Sequence, residues 1–359
     1  MVLPSWDILG SEKEIRDLFA RKEEYSPEQL DKHGRFQHAF SKYHKILEPW
    51  VSRYLVEQGF QVKYPDNHKF AICLTHDVDG VFPPIKHIML SSLYSAKSLN
   101  FNQIGQQVLW KFSKRWPSPY RNFRQIIDIE RKYNAKSTFY FMATERDPIR
   151  FRYHIEDIED DLKYIIDSGW YVGLHTGYYS FDDLKSIITE KERLEKVLGK
   201  EVIGCRNHYL RFRVPDTWEI LARAGFKYDT TFGYSEAMGF RNGMCHPFRP
   251  VNLNNQRQID IMEIPLNIMD ATFMGSLGLS PGFNKVPRQI EKLVDSVEEC
   301  NGVLTILWHN DSFSCPFKEK LAKLYESILN YCSGKGAWLA SADDIYRCFC
   351  ENGYENTGY

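Results

Sequence analysis

The fold is decided by the stretch Phe70-Ala-Ile-Cys-Leu-Thr-His-Asp-Val-Asp79. Its first five residues form an uninterrupted apolar run, which is typical of a strand buried on both faces of a parallel sheet. His76, Asp77 and Asp79 follow where that strand should end. Ligands and catalytic groups of α/β folds collect at the carboxyl ends of strands, so these three titratable groups indicate a site. The alternative is a solvated loop in which Asp77 or Asp79 caps the next helix.

The rest of the chain alternates between predicted strands and predicted helices, the pattern of βαβ units in a parallel sheet. Seven or eight mostly parallel strands predict an α/β fold closed as a distorted (β/α) barrel. This barrel should occupy residues 69–359, after a helical segment over residues 1–68 in which we find no chemistry. A helical insertion at about residues 81–120 is either a lid or binding loop, or a hairpin that covers the barrel rim. The predicted strands are 70–74, 137–143, 171–174, 202–205, 226–228, 259–266, 302–308 and 337–340.

The composition narrows the function classes. With 46 basic and 47 acidic residues the net charge is -1, which gives no long-range attraction to nucleic acid or anionic lipid. The eight cysteines show no C-x-x-C pairs, which argues against structural zinc and against a disulfide scaffold. No signal-peptide core and no apolar window of about 18 residues is visible. We therefore expect a cytoplasmic protein without a membrane span; the sequence does not predict its oligomeric state.

Polar residues follow several of the predicted strands. In a closed barrel the carboxyl ends of the strands share one face, so residues far apart in sequence should converge there. One such His is often a buried structural imidazole, but five strands ending in this way indicate a common site. These residues are Asp77, Asp79, His175, Arg206, His208, Asp229 and His309.

Four motifs in this set resemble those of the polysaccharide deacetylases, carbohydrate esterase family 4, with the NodB-homology domain. In order, they are Thr75-His-Asp-Val-Asp-Gly80, Leu174-His-Thr-Gly-Tyr-Tyr179, Arg206-Asn-His-Tyr209 and Leu307-Trp-His309. The resemblance covers residues 70 to about 345 and is to a divergent member. The first family motif usually reads Thr-Phe-Asp-Asp-Gly, whereas Val78 separates the two aspartates here. The second motif of this chain lacks its usual second histidine.

The resemblance implies a role for each matched residue. Asp77 corresponds to the general base, and Asp79 and His175 correspond to ligands of a divalent metal. Arg206 corresponds to the arginine that orients the base. His309 corresponds to the general acid, and Asp229 is the candidate that holds its imidazole.

The same residue types suit amide hydrolysis on chemical grounds. A metal held by Asp and His lowers the pKa of water and polarises a carbonyl. A separate carboxylate can accept a proton from water, and a His can deliver one to the leaving nitrogen. An Arg beside the base keeps it ionised and aligned.

Two protein ligands hold a catalytic metal poorly, so a third ligand is expected. His208 is the first choice, ahead of His76 and His246, although a substrate contact or a structural role is also open for it. Zinc suits these ligands best, with Co, Ni, Mn or Fe as alternatives. The loops also offer aromatic and cationic residues that could line a sugar pocket. We predict substrate contacts from Tyr179, Tyr209, Trp308 and Arg241.

The sequence thus predicts a metal-dependent hydrolase that removes an N-acyl group from an amino sugar or glycan, and acetyl is the acyl group that we expect. Two alternatives stay open. One is a catalytically inactive carbohydrate-binding barrel, which the missing histidine motivates. The other is a hydrolase of another non-peptide C–N bond, such as a cyclic amide, since the same groups serve any planar amide.

Overall fold

The computed structural model describes residues 3–4, 6–97, 104–105, 118–145, 152–275 and 278–351. Part of the predicted insertion, including its tryptophans Trp110 and Trp116, lies outside these residues. The described part of the insertion contains one long helix, Ile85–Lys97. Among the described residues, no helix combines the length and the apolar character needed to cross a bilayer.

The stretch Phe70–Asp79 contains the central strand of the main sheet. Strand β1, Ala71–Val78, is buried along its whole length, as its apolar run predicts. Three parallel neighbours pair with it. On one side, β9 (Trp338–Ser341) covers its first half and β2 (Thr138–Met142) its second half, and β8 (Val303–Leu307) lies on the other side. The remaining strands of this sheet are β2 Thr138–Met142, β3 Tyr171–Thr176, β4 Gly204–Asn207, β5 Tyr228–Asp229, β6 Met262–Glu263, β7 Leu266–Met269, β8 Val303–Leu307 and β9 Trp338–Ser341.

The main sheet curves into a distorted barrel whose end strands are not paired with each other. Its strands run β6-β5-β4-β3-β2-β1-β8-β7, with β9 as a ninth strand beside β1, and the pairings are parallel. The end strands β6 and β7 are consecutive in the chain. The Leu266 amide at the start of β7 also donates to the Phe232 carbonyl just after β5, at 3.1 Å. The predicted α/β barrel is therefore confirmed, with its irregularity at β6 and β7.

One predicted strand is divided in two. The sequence predicts a strand over residues 259–266, but β6 ends at Glu263 and β7 begins at Leu266. Pro265 lies between them and has no amide to donate to a ladder, which interrupts the strand there.

Helices cover the outside of the barrel with amphipathic faces. In α8 the buried residues recur at helical spacing, from Val286 and Ile290 to Val294 and Val297. Two short antiparallel hairpins, Val251–Asn252 with Arg257–Gln258 and Met274–Gly275 with Gly278–Leu279, lie apart from the sheet. The helices are α1 Lys13–Phe19, α2 Trp50–Glu57, α3 Ile85–Lys97, α4 Phe123–Arg131, α5 Glu159–Asp167, α6 Leu184–Leu198, α7 Asp216–Arg223, α8 Val286–Glu299, α9 Glu319–Gly334 and α10 Ala342–Glu351.

The N-terminal segment packs directly against the barrel. Leu18 of α1 and Leu55 of α2 belong to the same buried apolar cluster as Phe70 and Ile72. Within the predicted helical segment over residues 1–68, the described α-helices are Lys13–Phe19 and Trp50–Glu57. The chain before the second of these helices runs mostly without regular structure along the face that carries the strand ends.

Candidate metal centre and active site

Strand ends from four parts of the sheet converge on one cavity of about 380 Å³. Asp77 is near the end of β1 and Asp79 directly follows it. His175 is near the end of β3, His208 follows β4, and His309 comes two residues after β8. All five line the cavity, so the convergence expected from a shared carboxyl edge is present.

Asp79, His175 and His208 form a compact group of potential metal ligands. One ligand atom from each lies within 4.8 Å of the others. Asp79 Oδ1 is 3.2 Å from His175 Nε2 and 3.5 Å from His208 Nε2. His175 Nδ1 lies 2.9 Å from the Arg206 carbonyl and donates to it, which leaves the Nε2 lone pair of the neutral ring facing Asp79. This is the orientation that a metal-ligating histidine adopts.

Several atoms of this group are buried without a hydrogen-bond partner. They are Asp79 Oδ1, His175 Nε2 and both ring nitrogens of His208. Buried polar atoms rarely stay unpaired, because each one forfeits its hydration without a replacement. A divalent cation between them would satisfy Asp79 Oδ1, His175 Nε2 and one ring nitrogen of His208 at once, and one carboxylate with two imidazoles is a donor set that suits zinc. The residues present therefore fit a metal, with His208 as the candidate third ligand.

The electrostatics of the group agree with this donor set. Burial by itself would raise the pKa of Asp79, but His208 and His175 hold it well below its usual value. Burial lowers the pKa of His208, which favours the neutral ring that can ligate a metal. Burial would also lower the pKa of His175, but the carboxylates of Asp77 and Asp79 outweigh it and raise that pKa. A proton or a cation is thus favoured between His175 and its two carboxylates.

Arg206 holds Asp77 in a fixed orientation. Its Nη1 donates to Asp77 Oδ1 at 3.0 Å and to Thr75 Oγ1 at 2.8 Å, and its Nε donates to the Thr230 carbonyl at 3.0 Å. The guanidinium is fully buried. The second oxygen of Asp77, Oδ2, lies 3.6 Å from His175 Nε2. Arg206 therefore aligns the predicted base beside the predicted metal group.

The predicted partner of His309 is wrong. The structure places Asp270 beside this ring, with its Oδ1 2.6 Å from His309 Nδ1 and its Oδ2 accepting from the His309 amide at 2.9 Å. Asp229 is instead fully buried and accepts from Thr231 Oγ1 at 2.6 Å. Burial raises the pKa of Asp229. Asp270 directly follows β7, and this position at a strand end is the sequence signal that could have identified it.

The His309 and Asp270 pair is strongly polarised. Burial by itself would lower the pKa of His309, but the charge and hydrogen bond of Asp270, with smaller contributions from Asp79 and Asp77, raise it to about 10. Burial would raise the pKa of Asp270, but His309 outweighs it and lowers that pKa. Ser312 Oγ also donates to Asp270 Oδ2. His309 therefore carries a proton at neutral pH, as a general acid must.

Two of the predicted substrate contacts are wrong. Trp308 is fully buried, and its Nε1 donates to the Leu321 carbonyl at 3.0 Å. Arg241 is also buried, where it donates to Glu24 and to the Gly233 carbonyl at 2.8 Å. Both are therefore parts of the folded core. The salt bridge with Glu24 accounts for the buried position of Arg241.

The two predicted tyrosines differ. Tyr209 lines the cavity, whereas Tyr179 is 50% exposed and lines a neighbouring cavity of about 500 Å³. The two reserve candidates for the third ligand have other partners. The ring nitrogens of His76 lie 2.8 Å from the Trp308 carbonyl and from Glu130 Oε1. His246 lies 2.9 Å from Ser52 Oγ.

One wall of the cavity was not predicted from the sequence. His33, Arg35 and Gln37 line it, and all three come from the N-terminal segment. No motif marks these residues, because their role arises only from packing against strand-end loops far along the chain.

No protein-family model and no curated protein sequence matches this chain. Solved structures do match. One is a protein from Mycobacterium smegmatis proposed to be a polysaccharide deacetylase, with a TM-score of 0.54 and 17% identity over 80% of this chain and 92% of that one. The chain has the polysaccharide-deacetylase fold. Puue allantoinase is similar to the same degree, with a TM-score of 0.53 and 15% identity over 81% of this chain and 94% of that one. At these identities the matches establish the fold, and the chemistry has to be argued from the site.

Proposed function

We propose that this protein is a metal-dependent hydrolase that removes an N-acyl group from an amino sugar. Acetyl is the acyl group that we expect. One observation carries the proposal: three potential metal ligands, an arginine-held carboxylate and an imidazole paired with an aspartate face a single cavity. These are the groups that hydrolysis of an unactivated amide requires. The sequence resemblance to polysaccharide deacetylases and the shared fold support the same reaction class.

Asp79, His175 and His208 would hold the metal, for which zinc suits the ligands best. A bound divalent cation supplies Lewis acidity, which lowers the pKa of water and polarises a carbonyl oxygen. The chain supplies the proton transfers. Asp77, oriented by Arg206, accepts the proton of the attacking water at its carboxylate.

His309 completes the reaction. Its Nδ1 is committed to Asp270, so Nε2 is the atom left to donate a proton to the leaving nitrogen as the C–N bond breaks. The new C–O bond produces a carboxylate, and the nitrogen leaves as an amine. Asp270 stabilises the imidazolium before the transfer and fixes the ring, which is a positioning role.

The test is amine release from N-acetylglucosamine by the zinc-loaded protein. We expect Asp77→Asn and His309→Ala each to reduce turnover by about 10²–10⁴-fold, the usual contribution of a general base or acid. His44→Ala is the matched control, because His44 is exposed and does not line the cavity. Zinc binding measured by calorimetry gives a second readout. Full turnover in the Asp77 and His309 variants, or no zinc binding at all, would refute the assignment.

The similarity to an allantoinase favours one second candidate, hydrolysis of a cyclic amide. The same base, acid and metal would act on any planar amide. Hydantoin ring opening, measured beside acetate release from N-acetylglucosamine, separates the two reactions. The inactive carbohydrate-binding barrel is the other alternative. A third ligand position at His208 argues against it, and sugar binding without amine release would support it.

A further inference from the structure

Residues 31–38, here called the N-terminal strap, form an ordered loop over one side of the cavity. Asp31 organises the loop, since its Oδ1 accepts from the amides of His33 and Arg35 at 2.8 and 3.0 Å. Its Oδ2 accepts from Arg35 Nε at 2.8 Å. Gly34, at a φ of +73°, allows the reversal of the chain between them. The strap is therefore internally hydrogen-bonded before any contact with the barrel is counted.

One end of the strap is anchored to the loops after β3 and β4. Arg35 Nη1 donates to the Tyr209 carbonyl at 2.7 Å, and Arg211 Nε donates to the His33 carbonyl at 2.9 Å. The His33 ring nitrogen Nδ1 lies 2.9 Å from the Tyr178 hydroxyl. Its ring also packs against Tyr209 with 4.8 Å between centroids. This end thus touches the loop that carries His208.

The other end of the strap is anchored across the site. The His38 amide donates to Glu236 Oε1 at 2.7 Å, and Glu236 belongs to the loop after β5. Glu236 and Ser235 also line the cavity. The strap therefore spans from the β3 and β4 loops to the β5 loop, and its residues His33, Arg35 and Gln37 line that flank of the cavity.

The size and lining of the cavity indicate what fits inside. At about 380 Å³ it lies at the small end of the range for small-molecule sites. Its polar groups include Gln37 of the strap, and the Tyr209 ring offers an apolar face, a combination that suits a sugar ring. A polymer that reacts at an interior residue needs a groove open at both ends. The strap, which lines one flank of the cavity with His33, Arg35 and Gln37, lies across one of these directions.

Building on the proposed function, we propose that the N-terminal strap makes the site an end-binding pocket for an N-acylated amino sugar of one or two rings. Interior residues of a long glycan are excluded from the metal group. The segment in which the sequence shows no chemistry thereby sets the substrate class.

A substrate ladder tests the proposal. Zinc-loaded protein is given N-acetylglucosamine, its β-1,4-linked dimer and its hexamer, and kcat/KM is measured by amine release. We expect the dimer or monomer to exceed the hexamer by at least tenfold, with deacetylation of the hexamer confined to a terminal ring in its mass spectrum. Interior deacetylation of the hexamer at a comparable kcat/KM would overturn the proposal.

Strap variants give the matched comparison. Arg35→Ala removes the hydrogen bond to the Tyr209 carbonyl that anchors the strap. Gln37→Ala widens the cavity without removing an anchoring hydrogen bond. Each should raise the ratio of hexamer to monomer kcat/KM, whereas Lys32→Ala, an exposed change in the same strap, should leave it unchanged. If Arg35→Ala does not fold, Gln37→Ala decides. An unchanged ratio in the folded variants contradicts the role of the strap.

Binding separates this proposal from the proposed function. Calorimetry with the same ladder measures affinity whether or not the amide is cleaved. Preference for the short sugars without hydrolysis would overturn the proposed function and support the strap. Hydrolysis with equal affinity for all lengths would do the reverse. No binding of any sugar would overturn both.

Discussion

Replacing Asp270 by Asn removes the charge that keeps His309 protonated. The pKa of His309 is raised from its ordinary 6.5 to about 10, and Asp270 is the largest of the groups that raise it. Two unit charges about 4 Å apart interact by about 4 kcal/mol at an effective dielectric constant of about 20. This energy corresponds to about 3 pKa units. In Asp270→Asn the pKa of His309 should therefore fall to about 7 or lower, because burial still disfavours the imidazolium.

Three measurements test this change: the NMR titration of His309, the pH profile of kcat and the stability as a function of pH. The titration of His309 by NMR should move by about 3 units, and the alkaline limb of the kcat profile should move with it. Stability should change over a defined pH range. The raised pKa of His309 stabilises the folded state fully below pH 6.5, and this contribution is lost as pH rises towards about 10. Asp270, whose pKa is lowered, contributes only above its ordinary value of 3.8.

The variant should thus be less stable than the parent by about 3–5 kcal/mol near pH 6, the cost of breaking a buried ion pair. The difference should shrink as pH approaches 10 in urea unfolding. Asp229→Asn is the informative control, because the sequence alone assigns Asp229 to this ring and the structure does not. An alkaline limb that moves in Asp229→Asn, or that moves by less than 1 unit in Asp270→Asn, would refute the pairing.

Three further changes probe other parts of the chain. His208→Ala should weaken zinc affinity by about 100-fold or more, measured by competition with a chelator, whereas a chain in which His208 is only structural would keep its affinity. Arg241→Ala should lower the free energy of unfolding, measured in urea, by about 3–5 kcal/mol, because Glu24 loses a buried partner. KM should stay unchanged in this variant. A raised KM would restore Arg241 as a substrate contact. Burial raises the pKa of Glu190 to about 7, so the folded parent loses stability as pH rises from 4.5 to 7 and its buried carboxyl must ionise. Glu190→Gln has no such group, so its free energy of unfolding should rise relative to that of the parent by about 3 kcal/mol over this range. A pH-independent difference would contradict this.

The convergence of Asp77, Asp79, His175 and His208 could be predicted because it depends on sheet topology alone. Parallel strands present their carboxyl ends at one edge, so a polar residue after each apolar run points to that edge. The prediction failed where the end of a strand was misplaced. The predicted strand over residues 259–266 stops four residues before Asp270, whereas the strand that leads to Asp270 is Leu266–Met269. Asp229 is itself the last residue of a two-residue strand, Tyr228–Asp229.

Burial was the second cause of error. Trp308 and Arg241 lie close to strand ends or active-face loops in sequence, but their side chains point into the core. Residue type and position do not reveal side-chain direction at an irregular strand end. The strap was missed for a third reason. Its contacts join residues 145 and 174 positions apart, His33 with Tyr178 and Arg35 with Tyr209, and no local periodicity records such pairs.

The position of His208 beside Asp79 and His175 has a backbone consequence that links the strap to these potential ligands. His175 on β3 is paired with Arg206 on β4, so His208, two residues further on, reaches the same ligand group, with 5.0 Å between the two imidazole centroids. The next residues, Tyr209 and Leu210, then adopt positive φ values of 62° and 52°. For non-glycine residues this costs on the order of 1–3 kcal/mol each and persists only where surrounding contacts hold it.

Arg35 supplies one such contact through its hydrogen bond to the Tyr209 carbonyl. Arg35→Ala should therefore weaken zinc affinity by about tenfold or more, the usual effect of losing a group that orients a ligand, although Arg35 is not itself in the ligand group. Lys32→Ala should leave the affinity unchanged. Because zinc affinity is measured without substrate, the result does not depend on which amide the protein cleaves. Equal zinc affinity in Arg35→Ala and the parent would show that His208 is held by the barrel alone.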